Sequence, residues 1–349
     1  MNKKVLIRRT TPASLGGSSF NSTHFNGYMK NIHSLIIIVA LLLNTNLFAQ
    51  ERIGQNRIGL YTMNIGKIEA VVISDGHLCV NPVQAEFAQR IDSTKVAQTL
   101  QNRFAPATEV DLAMNILLLS FGNRLVLIDA GAGYVFGSES GRLAENLRYA
   151  GIAPEKITDI VITHAHPDHI GGLADQNRMP VFPNAKIHLS REEYDFWMTA
   201  NPDFSKSTMT DKQHMKMLVD VAQRNIRSVM DRLHIFQRNE ELLECMQLIP
   251  APGHTPGHII IRIYSENEEL YHIADVVHSE IISFEHPEWI YNSDTDYKEG
   301  IETRRKTLEQ LANSGSLFFA YHLPWPGLGY VKSTAGGYKW VQKRVVMPY

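Results

Sequence analysis

The segment that most limits the fold and chemistry of this chain is 163–169, which reads THAHPDH directly after an apolar, β-branched run typical of a buried strand. His164, His166, Asp168 and His169 are all metal-binding residue types, and random placement rarely produces this spacing. Imidazole and carboxylate together favour Zn²⁺ or a related first-row ion, whereas Ca²⁺ and Mg²⁺ prefer oxygen ligands. Four such side chains in one turn cannot all serve a single tetrahedral ion, so the segment predicts two metal ions.

Three further candidate ligands lie beside later predicted strands. His254 lies in a Gly/Pro-rich loop, APGHTPGH over 251–258, immediately before a strand pattern. Asp275 and His322 each follow a short apolar run. Strand ends that meet at a common rim are where α/β architectures place their ligand sites. We therefore expect these side chains to join the first four.

Predicted strands and helices alternate after residue 50. Asp75-Gly76 is a turn signal, and FGN at 121–123 joins two apolar runs as a predicted hairpin. Strands in both halves, with helices between and after them, predict two sheets packed face to face with helices outside, an α/β (α+β) architecture. The predicted strands are 68–74, 115–120, 124–129, 158–163, 186–189, 246–250, 258–263, 270–273 and 317–321, and the predicted helices are 140–150, 211–233 and 302–312.

The first 50 residues contain five Lys or Arg and no Asp or Glu, unlike the remainder of the chain. A basic residue, a nine-residue apolar run and a small residue follow one another within 29–49, which predicts a secretory signal peptide cleaved after Ala49. The apolar run is too short to span a bilayer, which argues against a stable membrane anchor. We expect an exported, periplasmic or secreted protein, with 1–28 as a non-native or disordered leader and 50–349 as a single domain.

The charge and cysteine content narrow the function classes further. The formal net charge is −2 and no basic block occurs, which argues against nucleic acid or an anionic membrane surface as the main partner. Cys79 and Cys245 are too few for a disulfide framework. They could form one bridge in an exported protein, or remain two separate buried thiols.

The combined pattern resembles the metallo-β-lactamase superfamily over most of the chain after residue 60, and most closely its branch of methyl parathion hydrolase and quorum-quenching lactonases. That resemblance implies an αββα sandwich and a dinuclear metal centre, with zinc as the expected ion. The matching segments are SDG (74–76), LIDAGAG (127–133), THAHPDHIGG (163–172), FPNA (182–185), APGHTPGH (251–258) and HLPWPGLG (322–329).

The resemblance assigns roles to individual residues. Asp275 would bridge the ions, and Asp168 and Asp275 would take part in catalysis through them. Asp129, at the end of a strand, would orient a ligand histidine or simply form a turn. The first ion would be bound by His164, His166 and His254, and the second by Asp168, His169 and His322.

Three other residues are candidates for substrate contacts. His278 stands where some lactonase relatives have Tyr; it would donate to an oxyanion or protonate a leaving alkoxide, or else be a rim histidine bonded to the backbone. Phe136 and Trp197 match positions of an aromatic substrate pocket in the methyl parathion hydrolase branch, or are core residues. His258 and His272, on strands, are expected to be packed histidines.

The predicted reaction is hydrolysis of an ester-like bond by a metal-bridging hydroxide. A lactone of the acyl-homoserine lactone type is the expected substrate, with phosphotriester cleavage as a second activity. The partner would thus be a small hydrophobic ester, lactone or phosphotriester. A homodimer contact through 53–62 is a further expectation.

Other functions remain open from the sequence alone. A thioesterase of the glyoxalase II type would need basic residues near the C-terminus, and Lys332 and Arg344 are available. A β-lactamase is disfavoured because Asp275 and His322 complete a different ligand set. A non-catalytic metal-binding protein of the same fold is the alternative from another class.

Overall fold

The first half of the chain builds one sheet. The structure is a computed structural model, and it describes residues 59–237 and 239–345. The first sheet runs in chain order, β1-β2-β3-β4-β5-β6-β7. Its strands are β1 (Leu60–Ile65), β2 (Ile68–Val80), β3 (Val110–Phe121), β4 (Arg124–Ile128), β5 (Asp159–Val161), β6 (Lys186–Ser190) and β7 (Leu233–Phe236).

The second half builds a sheet of its own, with the order β14-β13-β12-β11-β10-β9-β8. Its strands are β8 (Glu241–Leu242), β9 (Met246–Pro250), β10 (Ile259–Ser265), β11 (Glu268–His272), β12 (Phe318–Phe319), β13 (Leu328–Thr334) and β14 (Gly337–Gln342). All neighbouring strands of this sheet are antiparallel except β11 and β12. In the first sheet, β1 to β4 are antiparallel and β4 to β7 are parallel.

Eight α-helices connect and cover the strands of the described residues. They are α1 (Val83–Phe87), α2 (Ser93–Gln101), α3 (Leu143–Tyr149), α4 (Pro167–Ile170), α5 (Arg191–Met198), α6 (Lys212–Ser228), α7 (Ile282–Glu285) and α8 (Tyr297–Ser314). Among these helices, none combines the length and apolar character needed to cross a lipid bilayer.

Side chains of successive strand residues point to alternate faces of each sheet, and this alternation produces three apolar layers. In β3, Leu117 and Leu119 pack with residues of the second sheet, whereas Ile116 and Leu118 pack with residues of α3 and α6. On the far side, the outer face of the second sheet packs against α8 through residues such as Leu308. Successive strand residues point to opposite faces, so both sheets are covered on both sides. The αββα sandwich predicted from the sequence is confirmed.

Two local predictions were wrong. The turn expected at Asp75-Gly76 is a bulge inside β2, because the register with β3 shifts between Ser74 and Gly76. The bulge lets the buried carboxylate of Asp75 accept backbone N–H groups of Ala132 and Leu143, which a hairpin turn would not allow.

The helix predicted over 211–233 is also shorter than expected. Asp211 caps its N-terminus by accepting N–H groups of Gln213 and His214, and α6 ends at Ser228. The last predicted residues form a 3₁₀ turn and the start of β7, because β7 pairs with β6 in the parallel part of the sheet.

The predicted leader 1–28 and signal peptide 29–49 lie outside the described residues, as does most of the predicted dimer contact. Of the two cysteines, Cys79 is exposed and Cys245 is buried, and both are free thiols. The two cysteines therefore do not form a disulfide bond in the structure.

Candidate metal centre

The predicted ligands lie at the ends of strands from both sheets. His164 and His166 lie between β5 and α4; the backbone of His166 is extended, and Pro167 at the first helical position begins α4. Asp168 and His169 therefore lie on α4. The other three candidates are His254, which precedes β10, Asp275, which lies in a 3₁₀ turn after β11, and His322, which follows β12.

His164, His166 and His254, which we call the first group, turn ring nitrogens toward one another. Nε2 of His164 lies 3.1 Å from Nδ1 of His166, and that Nδ1 lies 2.8 Å from Nε2 of His254. Oδ2 of Asp275 lies 3.4 Å from Nε2 of His254. All three histidines are buried, and their nitrogens are close enough together to hold a metal ion.

The second group consists of Asp168, His169, Asp275 and His322. Nε2 of His322 lies 3.2 Å from Oδ2 of Asp168 and 3.1 Å from Oδ2 of Asp275. Nε2 of His169 lies 3.2 Å from Oδ1 of Asp275. Asp275 thus faces both groups, which is the position that a bridging ligand requires.

Hydrogen bonds alone do not account for this arrangement. A neutral imidazole has one N–H, so the mutually facing nitrogens of the first group cannot all be paired as donor and acceptor. In the second group, Nε2 of His169 and Oδ1 of Asp275 are buried without a hydrogen-bond partner. Cations between these atoms would satisfy them, and imidazole with carboxylate suits zinc and its relatives. The residues present fit two divalent ions.

Electrostatics in the protein alone favours the metal-binding forms of His164, His166 and Asp275, whereas nearby carboxylates, against the effect of burial, raise the pKa of the other three ligand histidines, His169, His254 and His322. Burial, assisted by neighbouring imidazoles, lowers the pKa of His164 and of His166 well below the ordinary value. Neutral imidazoles keep a free lone pair for a metal. Burial by itself would raise the pKa of Asp275, but surrounding histidines including His169 and His322 hold it well below its usual range.

The outer ring nitrogens of three histidines have partners that fix their orientation. Nδ1 of His169 lies 2.8 Å from Oδ2 of Asp129, Nδ1 of His254 lies 2.9 Å from Oδ1 of Asp294, and Nδ1 of His322 lies 2.9 Å from the carbonyl of Ala113. Such contacts select the tautomer that leaves the inner nitrogen free for a metal.

Asp129 has a strained backbone that the sequence did not indicate. Its φ is 67°, a value that costs energy for any residue other than glycine. The conformation lets its carboxylate accept the backbone N–H and the hydroxyl of Thr163, each at 2.8 Å, while it also contacts His169. The carboxylate therefore connects the end of β4 to the segment that carries the candidate ligands.

Asp294 and Arg304 were not among the residues that the sequence singled out. Oδ2 of Asp294 accepts a hydrogen bond from Nη2 of Arg304 at 3.3 Å. The same arginine donates through Nη1 to the carbonyls of Pro287 and Trp289, and through Nε to the carbonyl of Val276. Both side chains are 1% exposed. In the sequence, Asp294 resembles an ordinary residue at the start of a helix, and only the fold brings it to His254.

His278 lies inside the site and is 4% exposed. Its Nε2 lies 3.2 Å from Oδ2 of Asp275, and its ring stacks on that of His322 with centroids 5.2 Å apart. Phe87 and Tyr291 pack against the same ring. Burial lowers the pKa of His278 to about 4, so the ring is neutral at pH 7. Its Nδ1 has no hydrogen-bond partner, and no backbone bond holds it at a rim.

The two predicted pocket aromatics have different surroundings. Trp197 is fully buried in the core, where its Nε1 donates to Glu193 and its ring edge faces His166 at 5.7 Å between centroids. It packs as a core residue behind a candidate ligand and does not line the mouth of a pocket, because α5 turns it inward. Phe136 is partly buried and packs against the same core.

The two strand histidines are packed as the sequence predicts. Nδ1 of His258 lies 3.0 Å from the carbonyl of Ala251, and its Nε2 accepts the backbone N–H of Asp275 at 3.1 Å. The ring of His272 packs on that of Phe319. His258 therefore supports the turn that carries Asp275.

A two-sheet sandwich with two groups of histidine and aspartate side chains at its strand ends defines a class of metal-binding αββα proteins. The sequence profile described as the metallo-beta-lactamase superfamily matches residues 111–319. The protein belongs to that superfamily.

Two solved structures are similar over most of the chain. AidC, described as a dizinc quorum-quenching lactonase in complex with a product, N-hexanoyl-L-homoserine, is 35% identical with a TM-score of 0.79, and the match covers 82% of this chain and 98% of AidC. AbOPH, described as a hydrolase in the beta lactamase superfamily, is 29% identical with a TM-score of 0.75, covering 83% and 99%.

Curated relatives match over a shorter stretch. An N-acyl homoserine lactonase from a Bacillus species is 26% identical over 129 residues, which are 37% of this chain and 42% of that relative. The mouse protein named metallo-beta-lactamase domain-containing protein 1 is 37% identical over 67 residues, 19% of this chain and 22% of its own length. The chain thus spans less than half the length of these relatives.

Proposed function

We propose that this protein is a metal-dependent hydrolase that opens lactones of the N-acyl homoserine lactone type with two divalent metal ions, zinc being the expected metal. The observation that carries the proposal is the pair of ligand groups that share Asp275, with buried nitrogens and oxygens that lack other partners. The lactonases among the similar proteins support the substrate class.

The ligand assignment follows the geometry of the two groups. His164, His166 and His254 would hold one ion, Asp168, His169 and His322 the other, and Asp275 both. When bound, two such ions supply Lewis acidity and lower the pKa of water so that hydroxide forms at neutral pH. With such a hydroxide available, the protein would need no serine or cysteine nucleophile.

His278 is suited to stabilise charge that develops on the substrate. Its ring is neutral, as the lowered pKa indicates, so at pH 7 it donates a hydrogen bond and not a full positive charge. The ring lies beside Asp275 and is packed by Phe87 and Tyr291, which exclude water from it. We propose that the one N–H of the neutral His278 ring, whose Nε2 faces Asp275 and whose Nδ1 has no partner, donates to the oxygen on which negative charge accumulates.

Export, dimer formation and a second activity toward phosphotriesters are further parts of the same proposal. Hydrolysis of a phosphotriester would need the same stabilisation of negative charge, because charge also develops on an oxygen near the ions. Metal content of the purified protein would identify the ions, and its mass after expression with the leader would test cleavage after Ala49.

The proposal is tested by hydrolysis assays on a long-chain acyl-homoserine lactone, a phosphotriester, a thioester and a β-lactam, with the protein metal-loaded and chelated in parallel. We expect lactone opening to dominate, to vanish with the chelator and to return with Zn²⁺. Asp275→Ala should lower kcat/KM more than about 100-fold, because loss of a shared ligand exceeds the loss of a supporting contact.

Asp231→Ala is the matched control, because its side chain is 77% exposed. It should keep wild-type activity. A dominant thioesterase or β-lactamase activity would replace the lactonase assignment, and absence of turnover on all four substrates by metal-loaded protein would favour the non-catalytic alternative.

A further inference from the structure

Glu193, in the first turn of α5, is a buried carboxylate that the sequence did not single out. It is 0% exposed and accepts four hydrogen bonds, of which only one comes from a side chain of its own helix, Trp197. A charged group is costly to bury, so a carboxylate that remains in the core is expected to be held by several donors. Its donors show which parts of the chain it joins.

Each oxygen of this carboxylate serves a different loop of the site. Oε1 accepts the backbone N–H of Ala165 at 2.8 Å, together with the indole N–H of Trp197 at 2.6 Å. Oε2 accepts the hydroxyl of Thr255 at 2.8 Å and the backbone N–H of Gly257 at 2.9 Å. Ala165 lies between His164 and His166 in the chain, and Thr255 follows His254.

The same contact is reinforced by close packing at the start of α5. Ser190 caps the helix by accepting the N–H of Glu193, and its hydroxyl donates to the carbonyl of Gly257 at 2.8 Å. A Cβ at Gly257 would lie 2.2 Å from the backbone nitrogen of Glu193. Only glycine permits this approach, so the loop after His254 is seated directly on the helix end.

We propose that Glu193 is a positioning residue that holds the His164–His166 segment and the His254 loop at the spacing their metal ion requires, and so determines the affinity of the first group. No residue of the second group donates a hydrogen bond to this carboxylate. The inference rests on the proposed two-metal function, since it assumes that the first group binds an ion.

The arrangement requires a carboxylate and not merely a polar side chain. Glutamine has the same shape, but its NH₂ would face two donors and could accept from neither. Glu193→Gln therefore keeps the bonds to one loop and loses those to the other. Thr255→Val removes one donor to Oε2 with almost no change of shape, and should have a smaller effect in the same direction.

The experiment is a Zn²⁺ titration of the metal-free full chain against a chromophoric chelator, which reads affinity without activity. His254→Ala and His322→Ala serve as references for weakened first and second sites. We expect Glu193→Gln to lower the Zn²⁺ affinity about tenfold or more at the same site that His254→Ala weakens. The affinity of the other site should stay within about twofold of the wild-type value. Asp195→Asn, on the same helix with a 60% exposed side chain, should match the wild type.

Wild-type affinity at both sites in Glu193→Gln, or an equal loss at both, would overturn the proposal. If Glu193→Gln does not fold, Thr255→Val decides the question by the same criterion. Wild-type protein that binds fewer than two ions would refute the two-metal function separately. The role of Glu193 would then be tested by comparing the affinity of the one remaining site between Glu193→Gln and the wild type.

Discussion

Two clusters of histidine and aspartate in this protein differ in how the atoms of their side chains are paired, and the first of them is only partly buried. The His188 cluster, which consists of Arg124, Asp159, His188 and His234, lies among the parallel strands of the first sheet. Nε2 of His188 lies 2.9 Å from Oδ1 of Asp159, and Nδ1 lies 3.0 Å from Nδ1 of His234. Arg124 donates to the other oxygen of Asp159 at 2.9 Å. Both ring nitrogens of His188 therefore have partners.

The metal centre has the opposite arrangement. There the outer nitrogens of His169, His254 and His322 have partners, while the inner atoms face one another, and Nε2 of His169 and Oδ1 of Asp275, 3.2 Å apart, form no hydrogen bond. A buried polar atom left without a partner is costly, so such atoms that face one another among metal-binding side chains favour a metal-binding role. The comparison shows that histidine and aspartate content does not distinguish a metal site from a structural network, whereas the pattern of unpaired inward atoms does.

Among the substitutions that would test the difference between the two clusters, His278→Phe should have the largest effect on activity. His278→Phe keeps the packing against His322 and Tyr291 but removes the donor, so kcat for lactone opening should fall about 100-fold with both ions still bound. Activity and metal content measured on the same sample would check this. His278→Gln, which retains a donor, should recover part of the loss. A variant that loses an ion along with its activity would instead make His278 a ligand.

A smaller effect is expected at Asp294. Asp294→Asn keeps a hydrogen bond to His254 but removes the charge that faces it and Arg304, so the first site should bind Zn²⁺ about tenfold more weakly. The affinity of the second site should not change, because its histidines are oriented by Asp129 and Ala113. Competition with a chelator measures both, and Asp231→Asn is the exposed control. Unchanged affinity at the first site would contradict the orienting role.

The smallest functional effect is expected in the His188 cluster. His188→Phe leaves Oδ1 of Asp159 and Nδ1 of His234 without their partner, and we expect a loss of about 1–3 kcal/mol in the free energy of unfolding. Urea unfolding followed by circular dichroism measures that loss. Metal content and lactone opening should equal those of the wild type. A lost ion or a fall in turnover would show that the two clusters are not independent.

Much of the fold could be predicted because it follows from local patterns. The apolar runs around 115–128 and 246–263 mark strands, and their alternation in both halves of the chain predicts two sheets. The bulge at Asp75 could not be predicted, because an Asp-Gly pair is also the usual signal of a hairpin turn. Its conformation is decided by the backbone N–H groups of Ala132 and Leu143, which come from distant parts of the chain.

Part of the candidate site could likewise be predicted from the sequence, and part could not. His164, His166, Asp168 and His169 are recognisable because four metal-binding residue types occur within six residues, a density that chance rarely produces. Trp197, by contrast, was a candidate for either a substrate pocket or the core, and it lies in the core. Its side chain direction depends on how α5 packs, and an aromatic residue in a sequence is equally typical of a pocket wall and a core.

The sequence by itself determined the ligand types, their grouping around residue 163 and the two-sheet architecture, because spacing and apolar periodicity are local properties. Asp129 was a candidate for orienting a ligand histidine from the sequence, but only the tertiary structure identified the other charged residues that support the site. Glu193, Asp294 and Arg304 are ordinary charged residues in the sequence, and they acquire their roles because folding buries them beside backbone N–H groups, carbonyls and imidazoles from other elements. Burial without water requires each such charge to find its partners, and those partners are far away in the chain.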